Sequence, residues 1–255
     1  MENMKHILSY TRRAIDDYSM IDDGDKIAVG VSCGKDSLTL LCSLAYLKRF
    51  YPKKFDLLAI TVDMGFEGES DYTPVKLLCD SLDVQLKIVP TEIYKVIFEV
   101  RKESNPCSLC AKMRRGALNT AAKEYGCNTV ALGHHFDDVV ETFMLNLFFE
   151  GRLGCFSPVT NLSRVGIKVI RPMIYMPEKE IREFSSKNAL PIIESRCPAD
   201  KNTEREEMKN LLRKLERENK GLRYRIFGAM TRGEIDGFHA VRRMEGIKTY
   251  SQEQD

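Results

Sequence analysis

The chain has 255 residues, enough for one sizeable core or for one core with a small appendage. With 43% hydrophobic and 30% charged residues it reads as a globular protein, which excludes a disordered or fibrous chain. No apolar run approaches the ~20 residues of a membrane span, and the N-terminus MENMKHILSYTRRAIDDY lacks a secretion signal, so a cytoplasmic location and no membrane partner are expected. The net charge of +2 does not by itself announce nucleic acid. Its distribution is more informative: residues 201–248 hold 13 Lys/Arg against 8 Asp/Glu, and residues 101–115 hold five against one. Either segment could contact phosphates or be a solvated helix face.

Taken in chain order, residues 3–19 read as a helix and Asp22-Asp23-Gly24-Asp25 as a turn. Residues 26–31, KIAVGV, are a short β-branched apolar run and predict a buried strand. It passes through SCGKDS (32–37) into a strong helical pattern, SLTLLCSLAYLKRF. FDLLAITVD (55–63) is a second strand, 73–82 a helix and 84–89 a third strand, after which Thr91 caps a helix. The loop 103–108 contains Pro106, and Cys110 leads a helix to about Tyr125. Residues 128–132 are a fourth strand, followed by GHHFDD and a helix to about Phe149. Short strands are expected at 167–171 and 191–193, flanking a helix that Pro177 opens. Two charged helices follow, roughly 203–219 and 222–232, then a polar tail. The alternation over residues 26–150 implies parallel βαβ units, hence an α/β fold with a doubly wound, mainly parallel sheet and added N- and C-terminal helices. Residues 1–200 are read as the main domain and 201–255 as a basic helical extension packed on it.

SCGKDS lies between a buried strand and a helix, where backbone N–H groups and the helix N-terminus make an anion site. Lys35 adds a positive charge, and Ser32 and Ser37 offer hydroxyls. The Walker A spacing is absent; the segment resembles the PP-loop, usually SGGxDS, which holds the pyrophosphate of ATP and implies AMP-forming chemistry. Ser32, Cys33, Gly34, Lys35, Asp36 and Ser37 are therefore the expected ATP-binding loop. Cys33 stands where that family has Gly, at a position where Gly permits positive φ or close approach to phosphate, so it narrows the site or shifts the backbone. Asp63 ends the second strand at the carboxyl edge of the sheet, either facing ribose or adenine or serving as a turn residue. GHHFDDVVET places Gly133, His134, His135, Asp137, Asp138, Glu141 and Thr142 at the same edge, with Asp138, Glu141 and Thr142 on one helical face. Adjacent carboxylates there suit Mg²⁺ ligation or general-base work, or cap the helix.

Eight cysteines in a chain without a secretion signal point to metal or catalytic roles more than to disulfides. Cys42, Cys79 and Cys127 sit among apolar or small neighbours and read as core. Cys107 and Cys110 form a CxxC before a helix, with Lys112, Arg114 and Arg115 favouring thiolates. A redox pair has the same spacing, whereas a structural zinc site needs a second close pair that is absent. With Cys197 in ESRCPAD, three thiolates suit a cluster that leaves one iron open.

SCGKDS, NPCSLCAKMRRGAL and ALGHHFDDVVETFMLNLFFEGRL, in this order, resemble the tRNA 2-thiocytidine biosynthesis family of PP-loop (HUP-like) ATPases. DDYSMIDDGDKIAVGVS, VIRPMIYMPEKEIREF and LRYRIFGAMT extend the likeness over about residues 8–235. The resemblance implies ATP and Mg²⁺, a [4Fe–4S] cluster on Cys107, Cys110 and Cys197, and tRNA as substrate. It implies adenylation of the C2 oxygen of an anticodon-loop cytidine, then sulfur transfer with loss of AMP. Asp137, Asp138 and Arg114 are the expected catalytic residues, with Asp63, Gly133 and His134 beside the nucleotide. A cysteine desulfurase or another sulfur donor is an expected partner, and a homodimer stays open. The rival readings are a 2-thiouridine synthetase of the same superfamily, a lysidine-synthetase-like ligase, which needs no cysteines, and a non-catalytic iron–sulfur RNA-binding sensor.

Overall fold

Alternation along β1 (Asp25–Gly30) sends Ile27 and Val29 to one face of a sheet and Ala28 to the other, and each face has its own core. In the computed structural model, which describes all residues except 67, 69, 102–105, 195, 198–203 and 240–255, the first face is covered by α1 (Met4–Asp17), α2 (Lys35–Lys48) and α6 (Glu178–Lys187). The second is covered by α4 (Pro106–Glu124), whose Leu118, Ala121 and Ala122 pack on Ala28, Leu58, Ile60 and Val130. Helix α2 carries charge only at its ends and is buried almost all round. Leu38, Leu40, Leu41, Leu44 and Leu47 are inaccessible to solvent, each burial stabilising by about 1.5–3 kcal/mol.

The sheet has six strands in the order β3-β2-β1-β4-β6-β5: β2 (Phe55–Asp63), β3 (Gln85–Pro90), β4 (Thr129–Ala131), β5 (Val159–Leu162) and β6 (Ile167–Ile170) join β1. All pairings are parallel except β5–β6. The doubly wound, mainly parallel sheet expected from the sequence is therefore present. The strand order reverses between β1 and β4, and open α/β sheets bind ligands at such a switch point. The loop after β1 and the GHH segment after β4 both empty into it. Helix α3 (Thr73–Ser81) lies between β2 and β3 in the chain, and α5 (Phe136–Phe149) leaves the GHH segment. Met208 and Leu212 of α7 (Glu204–Glu218), with Phe227 and Met230 of α8 (Leu222–Arg232), belong to the same apolar core as α2 and α5.

Three expectations are corrected. Residues 191–193 form no strand, because the place beside β6 is taken by β5. The β5 sequence VTNL is short, lacks a clean alternation and turns back through Gly166 at φ +69°. The N–H of Ile193 instead donates to Cys33 O at 3.0 Å, tying that segment to the phosphate loop. The helix after Thr91 is a π-helical turn, Lys95–Val100. Finally, α4 begins at Pro106, so the CxxC lies within its first turn rather than ahead of it, since Pro is well suited to the first helical position. Residues 103–105 of the expected loop, and the tail from 240, lie outside the described residues.

Candidate active site

Gly34 is the N-cap of α2 in extended conformation and has no side chain to cap with, so the first-turn N–H groups stay available to an anion. The serines brace the loop: Ser37 Oγ donates to Gly34 O (3.0 Å), accepts from Ser32 N (3.1 Å), and lies 3.2 Å from Ser32 Oγ. Cys33 takes φ +62°, the left-handed region that favours glycine. Its thiol does not narrow the phosphate cradle. It is buried 4.0 Å from Thr61 Oγ1 on β2, and burial pushes its pKa up.

Gly133 closes the other wall. A Cβ there would come within 3.2 Å of the Asp36 carbonyl carbon and the Ser37 nitrogen, so any larger residue would press the GHH segment away from the first turn of α2. His135 and Asp138 form a reciprocal cap of α5: His135 N donates to Asp138 Oδ2 (3.0 Å) and Asp138 N donates to His135 Nδ1 (3.4 Å). His135 Nε2 lies 3.7 Å from Asp36 Oδ1 and 3.5 Å from Asp138 Oδ2, so carboxylates from two loops meet at this buried ring. Burial pushes Asp138 up, but its interactions with the His135 and His134 rings, the hydrogen bond from His135 N and the Arg205 charge outweigh it, and the net shift is downward. His134 is buried against Phe156, ring centroids 4.7 Å apart, with Nδ1 unpartnered; burial lowers its pKa to about 4 and keeps it neutral.

Asp137 has both oxygens engaged: Oδ2 accepts from Glu178 N (2.7 Å) and Oδ1 from Arg223. It joins α5, α6 and α8 and faces no open space. Asp63 is also engaged, its Oδ1 accepting from Gly65 N (2.9 Å) in a turn, while its carbonyl accepts from Thr91 N and Oγ1. Arg171, at the end of β6, is buried over Phe156 and lowered by that burial to about 10.

Sequence reasoning missed Glu178, Lys209 and Arg205. Lys35 Nζ lies 3.0 Å from Asp36 Oδ1 and 3.3 Å from Glu178 Oε1, and Lys209 Nζ lies 3.1 Å from that same glutamate oxygen. Burial raises Glu178, yet the hydrogen bond from Lys209 and the charges of Lys35 and Lys209 bring it down to about 2. Arg205 donates to Thr142 Oγ1 (2.9 Å) and lies 3.8 Å from Asp138 Oδ1. In the sequence Glu178 is an ordinary first-turn acid and α7 an ordinary charged helix; only packing of α7 on α5 brings them here. Glu141, on the same face of α5 as Asp138, is buried with no hydrogen bond to Oε1, which lies 3.8 Å from Arg223, and burial, then the Asp138 charge, lifts it to about 7.

The cysteines divide as the sequence implied. Cys33, Cys42, Cys79, Cys127 and Cys155 are buried; Cys107 is exposed, Cys110 and Cys197 are half-buried, and none of the eight is in a disulfide. Cys107 and Cys110, three apart, share one face of α4. Burial raises the Cys110 thiol, Arg114 lowers it, and Cys197 and Cys107 raise it further, so the three sulfurs lie within electrostatic reach of one another. Among the described residues no three His, Cys, Asp or Glu side chains converge tightly enough for one metal ion. A cluster spreads its ligands more widely, and three accessible thiols beside a cation suit one. Cys197 follows Ile193 by four residues, so its Cα is at most roughly 14 Å from that of a residue hydrogen-bonded to the phosphate loop. Arg114 is exposed on the face of α4 near these thiols.

This strand–loop–helix at the switch point defines a nucleotide-binding α/β domain, and the model of the family described as PP-loop domain matches residues 5–232. The tRNA-cytidine(32) 2-sulfurtransferase of Geobacter metallireducens is 41% identical over 222 residues, covering 86% of each chain. That of Geobacter sulfurreducens is 41% identical over 230 residues, covering 89% of each. Among solved structures, the U34-tRNA thiolase NcsA from Methanococcus maripaludis with its [4Fe-4S] cluster matches with a TM-score of 0.71 at 27% identity, over 89% of this chain and 78% of that one. The chain belongs to the PP-loop family and, within it, to the tRNA-cytidine(32) 2-sulfurtransferases.

Proposed function

We propose that this protein uses ATP to replace the C2 oxygen of a cytidine in a tRNA anticodon loop by sulfur. The carrying observation is that one chain joins a PP-loop at the switch point to three accessible cysteines beside Arg114. Lys35 and the N–H groups at the start of α2 hold the β- and γ-phosphates. Asp36 and Asp138, both facing His135, are the carboxylates that would hold Mg²⁺, which when bound would neutralise charge on the phosphates; Mg²⁺ at nucleotide sites commonly takes one or two carboxylates. The lowered pKa of Asp138 keeps it ionised, which favours cation binding over proton abstraction. With both of its oxygens committed, Asp137 acts by positioning α5 against α6 and α8. His134, Gly133, Asp63 and Cys33 shape the walls around the nucleotide.

The cytidine O2 attacks the α-phosphate, an O–P bond forms and pyrophosphate leaves. Replacement of the adenylated oxygen by sulfur then breaks the C2–O bond and releases AMP. A [4Fe–4S] cluster on Cys107, Cys110 and Cys197 leaves one iron without a protein ligand and so supplies a place to carry sulfur. Arg114 lies where it balances negative charge near these thiols. The target base must leave its stack, which an anticodon loop permits more easily than a duplex.

The test is anaerobic incubation with ATP, Mg²⁺, unmodified tRNA, a cysteine desulfurase with cysteine, and a thiol reductant that brings the persulfide sulfur to the sulfide level. AMP, pyrophosphate and 2-thiocytidine, read by chromatography and nucleoside mass spectrometry, are expected. Formation of ADP and phosphate would overturn the PP-loop chemistry, and 2-thiouridine in place of 2-thiocytidine would overturn the base assignment.

A further inference from the structure

Glu178 is bound by two lysines from distant parts of the chain. Lys35 comes from the phosphate loop and Lys209 from α7, and both ammonium groups approach the same oxygen, Oε1, at 3.3 and 3.1 Å. Lys209 lies 3.1 Å from Oε2 as well, and Arg182 Nη2 lies 3.4 Å from it. Three cations thus meet one carboxylate that is only 12% exposed, and with Asp36, both of whose oxygens lie 3.0 Å from Lys35 Nζ, three positive charges face two carboxylates at the mouth of an anion site, Arg182 largely in solvent. Lys209 is not carried on a loose arm: Met208 and Leu212 beside it on α7 are in the apolar core.

We propose that Lys209 is a second lysine of the pyrophosphate site. Resting on the ATP reading above, this adds a phosphate contact from the C-terminal helices, outside the loop. Glu178 stands in for phosphate oxygens and keeps Lys35 and Lys209 side by side; a bound pyrophosphate group takes both ammonium groups in its place. During adenylation the O–P bond to the leaving pyrophosphate breaks and its electron pair stays with the leaving oxygen. Two fixed ammonium groups then stabilise the charge developing there.

The test is calorimetric binding of inorganic pyrophosphate and of Mg–ATP to the full-length chain, with circular dichroism melting as a folding check. Lys209→Met should weaken pyrophosphate binding by at least about tenfold, while Lys209→Arg, which keeps the charge, should retain most of it. Lys214→Met, an exposed lysine on the same helix, should bind as the wild type does. Glu178→Gln should bind pyrophosphate more tightly, because the competing carboxylate is gone, an effect that loss of a purely structural ion pair does not produce. Wild-type affinity in Lys209→Met, or an equal loss in Lys214→Met, would overturn the proposal. If Lys209→Met does not fold, Lys209→Gln decides against the Glu178→Gln background: binding weaker in the double variant than in Glu178→Gln alone supports the proposal, and equal binding in the two overturns it. A wild-type chain that binds neither ligand would overturn the ATP reading itself, a result distinct from a wild type that binds and a Lys209→Met chain that binds equally.

Discussion

Asp137 and Arg223, 86 positions apart, form an ion pair in which each side chain is only 12% exposed. Arg223 also lies 3.8 Å from Glu141 Oε1, so α8 is pinned to the first turns of α5 by one guanidinium between two carboxylates.

Removing that guanidinium should therefore act on stability first. Breaking one partner of a buried pair leaves the other charge uncompensated and typically costs about 3–5 kcal/mol. Arg223→Ala should lower the unfolding free energy by an amount in that range, measured by urea unfolding and seen as a lower midpoint. The salt dependence of tRNA binding should stay as in the wild type, because Arg223 faces carboxylates and not solvent. A variant of unchanged stability with a shallower salt slope would instead make Arg223 a phosphate contact.

Glu141 gives a pH dependence with a definite sign. Its folded pKa of about 7 lies above its ordinary 4.5, so between these values the folded state binds more protons than the unfolded one. Stability from this group is full below pH 4.5 and is lost as pH rises through 7. Glu141→Gln should flatten the stability profile between pH 4.5 and 7.5, removing a fall on the order of 2–3 kcal/mol. Unfolding curves across that range check it; parallel profiles for the two proteins would rule the buried acid out as the cause.

At Cys33 the left-handed backbone and the buried thiol act in opposite directions. Cys33→Gly relieves roughly 1 kcal/mol of strain but gives up the packing near Thr61 and makes the unfolded chain more flexible, so stability should stay within about 1 kcal/mol of the wild type. Cys33→Val forces a β-branched residue to φ +62° and should cost more than about 1 kcal/mol. Thermal unfolding measures both. Alkylation of Cys33 should be slow with or without ATP, since burial and not the nucleotide shields the sulfur.

Iron content should separate the cysteines cleanly. Protein purified without oxygen should hold about four irons per chain, and Ser at Cys107, Cys110 or Cys197 should lower iron and visible absorbance. Ser at Cys42, Cys79 or Cys127 should leave iron unchanged, though burying a hydroxyl there destabilises the fold. Loss of iron in the second group without loss of folding would move the cluster.

Arg114 and Arg115 are exposed on α4 close to Cys107 and Cys110. Replacing both by Ala should reduce 2-thiocytidine formation more than tRNA binding, measured by nucleoside mass spectrometry and filter binding at two salt concentrations. Equal losses in both would make them backbone contacts only.

The amino-acid sequence alone determined the parallel sheet, the phosphate loop and the separation of Cys107, Cys110 and Cys197 from the core thiols Cys42, Cys79 and Cys127, while the burial of Cys33 and Cys155 came from the structure. Each is written in local pattern: continuous apolar runs for strands covered on both faces, a strand–SCGKDS–helix junction, and thiols among charges against thiols among apolar residues. The glycine preference at position 33 was legible too, and the left-handed backbone of Cys33 bears it out. The short edge strand β5 was not legible, because three half-buried residues and the exposed Asn161 carry too little periodicity. Only the tertiary structure decided what each acidic side chain does. Asp137 and Asp138 are adjacent in the chain, yet one is tied to Arg223 and Glu178 N while the other faces His135 and Asp36. Glu178 reaches Lys35 of the phosphate loop, Lys209 reaches Glu178 and Arg205 reaches Asp138 only because apolar faces of α6 and α7 pack beside α2 and α5. Charge–charge contacts between distant segments leave no periodic trace in sequence, since their geometry is set by where the hydrophobic core places the helices that carry them.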